Sequence, residues 1–212
     1  MPQPELILQI GHNNEIYSVA FAPDGRMLAA AGSDLSVKLW DAMTGELRGL
    51  LPNLEACRAL TFSPKSALLA CAGEAKVIIW DPITGMRKAT LTGHCGAVSS
   101  LAFSPDGNLL ACASEGQWFG HEVMWVKGGE VQVWDVSALR LKQTLAKSRT
   151  EKLALAWSPD GSLLAIASSD GVVRLWDLIK SEPRRRVLRH KEVRAVAFSP
   201  DGQSWPQAVP VE

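Results

Sequence analysis

Short apolar runs of about five to seven residues recur along the chain, separated by clusters of Gly, Pro, Asp and Ser. Val98-Ser99-Ser100-Leu101-Ala102-Phe103, Leu163-Leu164-Ala165-Ile166-Ala167 and Met86-Arg87-Lys88-Ala89-Thr90-Leu91 are examples. Runs of this length, rich in Val, Leu, Ile and Trp and bounded by turn formers, predict β-strands. No segment shows the 3.6-residue apolar spacing of a helix. The pattern therefore predicts an all-β chain, with its strands in sets of four.

The sets are marked by one short motif. Phe21-Ala22-Pro23-Asp24-Gly25 returns at Phe62-Ser63-Pro64-Lys65-Ser66, Phe103-Ser104-Pro105-Asp106-Gly107, Trp157-Ser158-Pro159-Asp160-Gly161 and Phe198-Ser199-Pro200-Asp201-Gly202, at steps of 41, 41, 54 and 41 residues. A fixed period near forty residues is the signature of a repeat architecture. Each motif closes a first strand and opens a turn in which proline presets φ and glycine suits the fourth position. Asp24, Asp106, Asp160 and Asp201 recur in these turns by symmetry and are read as turn formers. A second run follows, then a polar turn holding Asp34 or Asp170, then a third run ending in Trp40-Asp41, Trp80-Asp81, Trp134-Asp135 or Trp176-Asp177. A fourth run leads into the next repeat.

These residues carry a family resemblance. Gly11-His12 to Trp40-Asp41, and Gly93-His94 to Trp134-Asp135, resemble the glycine-histidine and tryptophan-aspartate marks of WD40 repeats, over about residues 5–202. The resemblance implies a β-propeller, each blade a four-stranded antiparallel sheet around a central channel. The first run is then the innermost strand, and the run before Gly-His is the outermost strand of the preceding blade. Repeats are expected at about 5–45, 46–86, 87–139, 140–182 and, in part, 183–202, with an irregular tail at 203–212. The expectation is four complete blades plus an incomplete fifth, whose outermost strand lies near Leu6-Ile7-Leu8. Such a chain is a truncated member of a longer array, an arc that pairs with a second copy to complete a ring, or an open arc within a larger assembly.

The resemblance also implies a structural hydrogen-bonded network of His, Asp and Trp with a Ser or Thr. It is carried over onto His12, Asp34 and Trp40, onto Trp80, onto His94 and Trp134, and onto Asp170 and Trp176. Repeat two departs from the pattern, with Asn53-Leu54 near the Gly-His place and Glu74 at the Asp place. Repeat four has no Gly-His before it.

Two places suggest a binding surface. Four residues before its terminal aromatic, the innermost strand carries Tyr17, Arg58, Ser99, Leu153 or Arg194. Two before it, the residue is always Val or Leu, and the residues one and three before are always small. The large and small faces suit wedge packing between blades, and the variable position marks emergence at the rim. Tyr17, Arg58 and Arg194 are rim candidates for partner contact, because Tyr and Arg are favoured contact residues; the alternative is that they cover the channel mouth. The second place lies between the second and third strands of repeat three, where Pro to Trp spans 29 residues instead of 16 or 17. Trp118, Phe119, His121, Met124 and Trp125 fall in this insertion, an aromatic load suited to anchoring a protein. The other reading is that the insertion packs on its own blade or forms a small hairpin.

Composition narrows the rest. Apolar content of 47% supports a packed core, and a formal net charge of zero gives no pull toward nucleic acid or anionic membrane. The basic run Arg184-Arg185-Arg186 lies on an expected outermost strand, without aromatic interleaving, and does not predict nucleic-acid binding. No apolar run reaches the length of a membrane helix. Met1-Pro2-Gln3-Pro4-Glu5 does not open a secretory signal, so a cytoplasmic setting is expected. Cys57, Cys71, Cys95 and Cys112 show no C-x-x-C spacing. Cys71 and Cys112 share a place with Ala30 and Ile166, a small core position. His121-Glu122 has no second His at zincin spacing, and no phosphate loop or nucleophile elbow is present. The expectation is a non-catalytic scaffold that takes no cofactor or metal and binds other proteins through its top face. The alternatives are a fragment without independent function and a propeller holding a small molecule in its channel.

Overall fold

The computed structural model describes residues 12, 14–52, 56–119, 124–189, 193–202 and 207–208, and every regular element among them is a β-strand. Blade one is an antiparallel sheet of β1 (Ile16–Phe21), β2 (Met27–Gly32), β3 (Ser36–Asp41) and β4 (Leu47–Pro52), paired in chain order. Blade two repeats it with β5 (Ala59–Phe62), β6 (Leu69–Ala72), β7 (Val77–Asp81) and β8 (Met86–Leu91). Blade three contains β9 (Val98–Phe103), β10 (Leu109–Ser114), β13 (Val131–Asp135) and β14 (Arg140–Leu145). Its insertion forms a separate hairpin, β11 (Gln117–Phe119) and β12 (Met124–Lys127). Blade four is β15 (Lys152–Trp157), β16 (Leu163–Ser168), β17 (Val172–Asp177) and β18 (Glu182–Arg189). A fifth unit begins with β19 (Val196–Ala197).

The architecture is the β-propeller arrangement, with each blade taking its outermost strand from the start of the next sequence repeat. Within the stretch read as an irregular tail, Gln207–Ala208 forms a short strand, β20, antiparallel to β19. Leu6-Ile7-Leu8 lies outside the described residues.

The Trp-Asp endings have a local physical cause. Asp41 closes β3 and accepts hydrogen bonds from the backbone N–H of Met43 (2.8 Å) and Thr44 (3.0 Å), folding the chain into the outermost strand. Asp81 does the same for Ile83 and Thr84, and Asp177 for Ile179 and Lys180. These backbone donors hold the three carboxyls below the usual aspartate range. At the other end of the blade, Asp106 and Asp160 accept from Ser104 and Ser158 within their turns, as expected of turn formers.

The cores lie between sheets. Ala29, Ala31, Val37, Leu39 and Leu51 from one face of blade one meet Leu60, Leu69, Cys71 and Trp80 from the facing side of blade two. The same small-against-large contact joins blades two and three, blades three and four, and blade four with Val193, Val196 and Phe198. Strand alternation produces it, because successive side chains point to opposite faces and the innermost strand alternates large and small. Leu60, Leu101 and Leu155 are accordingly 7%, 9% and 8% exposed, whereas the equivalent Val19 is 60% exposed on the uncovered face of blade one. Leu155→Ala should therefore cost about 2–5 kcal/mol in urea unfolding, and Val19→Ala under about 1 kcal/mol.

Candidate functional site

The strand starts, the turns between second and third strands, and the inserted hairpin share the top face. Tyr17 and Arg194 are exposed at equivalent places on blade one and the fifth unit, and Ser99 and Leu153 are half-buried. Arg58 is exposed on blade two and reaches across to blade three, where its guanidinium stands 3.5 Å from the Glu115 carboxylate. Burial pushes the Glu115 carboxyl up, opposed by Arg58 and reinforced by Glu151. Sequence spacing found Arg58 but not Glu115, which sits at the foot of the insertion.

The insertion is a hairpin in which Trp118 pairs in register with Trp125, and Phe119 with Met124. Of the other candidates there, His121 lies outside the described residues. The foot of the hairpin is held by close backbone approach. Ser114 N–H donates to Glu130 C=O at 2.9 Å, Glu115 N–H to Ala97 C=O at 2.8 Å, and Ser148 N–H to Gly129 C=O at 3.1 Å. A Cβ on Gly128 would stand 1.7 Å from the Ser148 carbonyl oxygen, and one on Gly129 would stand 2.5 Å from that of Ser114. Only glycine permits this contact, which presses the returning strand against the loop before blade four. The buried Cys95 thiol donates to the Gly128 carbonyl at 3.2 Å.

Lys152 completes the same knot. Its side chain is fully buried, and Nζ donates to Ser148 Oγ (2.7 Å), Thr150 C=O (2.7 Å) and Thr150 Oγ1 (2.9 Å). Three acceptors match the three donors of an ammonium, and none of them is a carboxylate. Burial, with the Arg174 guanidinium adding to it, lowers the pKa to about 8. Sequence reading missed this residue because lysine in a strand reads as solvent-facing. The signal was its place: five residues before the aromatic, the other innermost strands carry Ile16, Cys57, Val98 and Val193.

The His-Asp contact expected from the Gly-His and Trp-Asp marks forms only around His12 among the described residues. His12 Nδ1 lies 2.8 Å from both Asp34 oxygens, and Nε2 lies 3.1 Å from the Ala30 carbonyl. The ring centroid is 5.8 Å from that of Trp40. Burial opposes ionisation of Asp34, but bonds from His12 and Ser36 outweigh it and leave the carboxyl below its usual range. In repeat three the insertion puts Gly128 six residues before Trp134, where repeat one has Asp34. His94 is consequently buried with neither ring nitrogen partnered, and burial lowers its pKa to about 4. Gln132 Oε1, buried in the same blade, also lacks a partner. Asp170 turns to Arg174, at 2.8 Å, in a repeat without Gly-His. The indole N–H groups of Trp80, Trp134 and Trp176 find no acceptor, so the expected satisfaction of these buried groups does not extend to them. Glu74 is exposed.

The four cysteines are free and buried. Burial pushes the Cys112 thiol well up, and a hydrogen bond with Cys57, together with burial, does the same to Cys71. Among the described residues, no three His, Cys, Asp or Glu side chains converge as metal ligands. The top face thus presents a hairpin bonded at its foot to the loop before blade four, an ion pair beside it, and exposed Tyr and Arg.

Comparison with known proteins agrees with this geometry. Residues 4–41, 85–135 and 140–177 match the family model described as WD domain, G-beta repeat. Protein tipD of Dictyostelium discoideum is 26% identical over 197 residues, covering 90% of this chain and 30% of tipD. Nuclear distribution protein PAC1 of Arthroderma otae is 30% identical over 181 residues, covering 83% of this chain and 38% of that protein. Periodic tryptophan protein 2 of Arabidopsis thaliana is 30% identical over 201 residues, covering 93% and 21% respectively. The chain spans well under half the length of each of these relatives.

Two pH effects follow. His94 is favoured neutral in the fold, with a pKa below its value of about 6.5 in the unfolded chain. Its contribution is present above pH 6.5 and is lost as pH falls toward 4. The urea midpoint should fall across that window, and His94→Leu should flatten this part of the profile. Lys152 has its folded pKa near 8, below the unfolded value of 10.5, so stability should rise as pH climbs from 8 to 10.5. Lys152→Met should remove that rise, as read by the same unfolding series.

Proposed function

This chain belongs to the WD40-repeat family, and we propose that it acts as a non-catalytic scaffold whose partner protein docks on the top face, against hairpin β11–β12. Its relatives being WD-repeat proteins supports protein interaction as the general role. The observation that carries the finer reading is the footing of the hairpin. A surface insertion without a contact role has no need of a glycine pair pressed against a neighbouring loop, a thiol bonded to one of those glycines, and a buried ammonium fixing that loop. Preorganisation lowers the ordering cost of binding, and a contact element gains most from it.

Trp118, Phe119, Met124 and Trp125 are the assigned anchors, and their register places Trp118 opposite Trp125. Arg58 contributes beside the foot, and Tyr17 and Arg194 extend the surface along the rim. The mechanism is display: the blades hold these positions at fixed separations, and complementarity supplies the specificity.

The test is affinity capture from the native host, quantified by mass spectrometry, with wild type and a Trp118→Ala/Trp125→Ala variant in parallel. The expected result is a protein retained by wild type and reduced at least roughly tenfold by the variant, with unfolding cooperativity intact. An unchanged capture profile from a folded variant would remove the hairpin from the contact surface.

A further inference from the structure

The outermost strand of blade three departs from its counterparts. In blades one, two and four, the cation seven residues past the Trp-Asp carboxylate forms an ion pair with it: Arg48 with Asp41, Lys88 with Asp81 at 3.3 Å, and Arg184 with Asp177 at 3.0 Å. Lys142 holds that place on β14. Asp135 instead accepts from Ser137 Oγ at 2.7 Å and the Ala138 N–H at 2.8 Å, with the Arg140 charge acting on it. Lys142 is exposed and has no ion-pair partner among the described residues.

The turn that leads into β14 departs as well. Four residues past the carboxylate, blades one and two carry Gly45 and Gly85 at φ near +70°, a conformation that glycine adopts freely. Blade three carries Leu139 there at φ +51°, and blade four Ser181 at φ +56°, where a Cβ is penalised. Both residues contribute to the same edge. Leu139 is 41% exposed and Leu141 43%, so apolar and basic side chains alternate along Leu139-Arg140-Leu141-Lys142. The Ser181 hydroxyl donates to Gln143 Oε1 on β14 at 3.2 Å, which brings the turn holding Lys180 against that strand.

The charge here is one-sided. Residues 136–150 hold Arg140, Lys142, Lys147 and Arg149, all exposed, and no carboxylate. Residues 178–189 hold Lys180 and four arginines against Glu182 alone, in a chain whose formal net charge is zero. Lys147, Arg149 and Lys180, like Lys142, have no ion-pair partner among the described residues. Glu151, the next carboxylate along the chain, acts on Glu115 at the top face. A basic stripe therefore follows the outer edge of blade three, from Arg140 to the loop before blade four. Lysine by itself guards a sheet edge against contact, whereas exposed leucines beside it invite contact. We infer that this edge is a second docking site, for an extended acidic segment of a partner protein whose carboxylates meet Lys142, Lys147 and Arg149 and whose alternate apolar side chains meet Leu139 and Leu141. A phosphate backbone would match the charge but leave the leucines uncovered, and residues 136–150 hold no aromatic ring for a base to stack on. The site uses no residue of the hairpin, so it stands or falls separately from the top face.

The test is an amide NMR titration of the full chain with short capped peptides that alternate Asp with Leu, Lys with Leu, or Asp with Ser, and with a short oligothymidylate. The Asp-Leu peptide should shift the amides of residues 139–149 and 180–182, and bind roughly tenfold tighter than each of the other three probes. Lys142→Glu should remove the preference for Asp-Leu over Lys-Leu. Leu139→Gly/Leu141→Ser, which restores the turn glycine of blades one and two, should bring Asp-Leu down to the level of Asp-Ser. Both variants should leave the hairpin amides in place. No shifts at millimolar Asp-Leu, equal binding of the three peptides, tighter binding of the oligothymidylate at these residues, or an unchanged preference in Lys142→Glu would each overturn the inference.

Discussion

Everything in this chain depends on a contact between unlike faces. Each blade offers small side chains and branched aliphatics on one side and larger side chains on the other, and the two sides of successive blades fit together. The contact exists because an innermost strand alternates Ala, Ser or Thr with Val or Leu, and strand geometry sends the two sets in opposite directions. It is directional: a blade's large face meets only the small face of the blade before it. Backbone pairing holds each sheet together, but side-chain volume positions one sheet against the next. The loops on both faces inherit their spacing from it.

Departures from the repeat become informative against that regular support. The hairpin of blade three displaces the Asp that would have met His94, and the cost appears as a buried imidazole with no partner. Blade four, lacking a histidine, keeps a buried ammonium satisfied by hydroxyls and a carbonyl. Blade three also sets Leu139 at the place of a turn glycine, and an exposed leucine follows. A buried unsatisfied group costs about 1–3 kcal/mol, so the orphaned His94 imidazole is a burden on folding. The departures fall where the chain also builds surface features, as expected when function works against local consistency.

Much of this was legible in the residues. Five copies of the turn motif set the repeat, and the alternation before Phe62, Phe103 and Trp157 specified which face is buried. Other features were hidden for definite reasons. Lys152 reads as exposed because burial of an amine depends on acceptors supplied by Ser148 and Thr150, a tertiary fact. The pairing of Trp118 with Trp125 was not legible because the insertion is glycine-rich and follows no period. The orphaned indoles of Trp80, Trp134 and Trp176 could not be foreseen, since the Trp-Asp mark fixes the ring's place and not its hydrogen-bond acceptor.

The central claim is that the hairpin is held as a rigid platform by the close approach of Gly128 to the loop before blade four. Native-state hydrogen exchange of the full chain tests it directly. The account predicts that the Ser148 amide, bonded to Gly129, is protected in the wild type, and that Gly128→Ala removes that protection while β15–β17 stay protected. Equal exchange at Ser148 in the two proteins, with blade four intact in both, would contradict it.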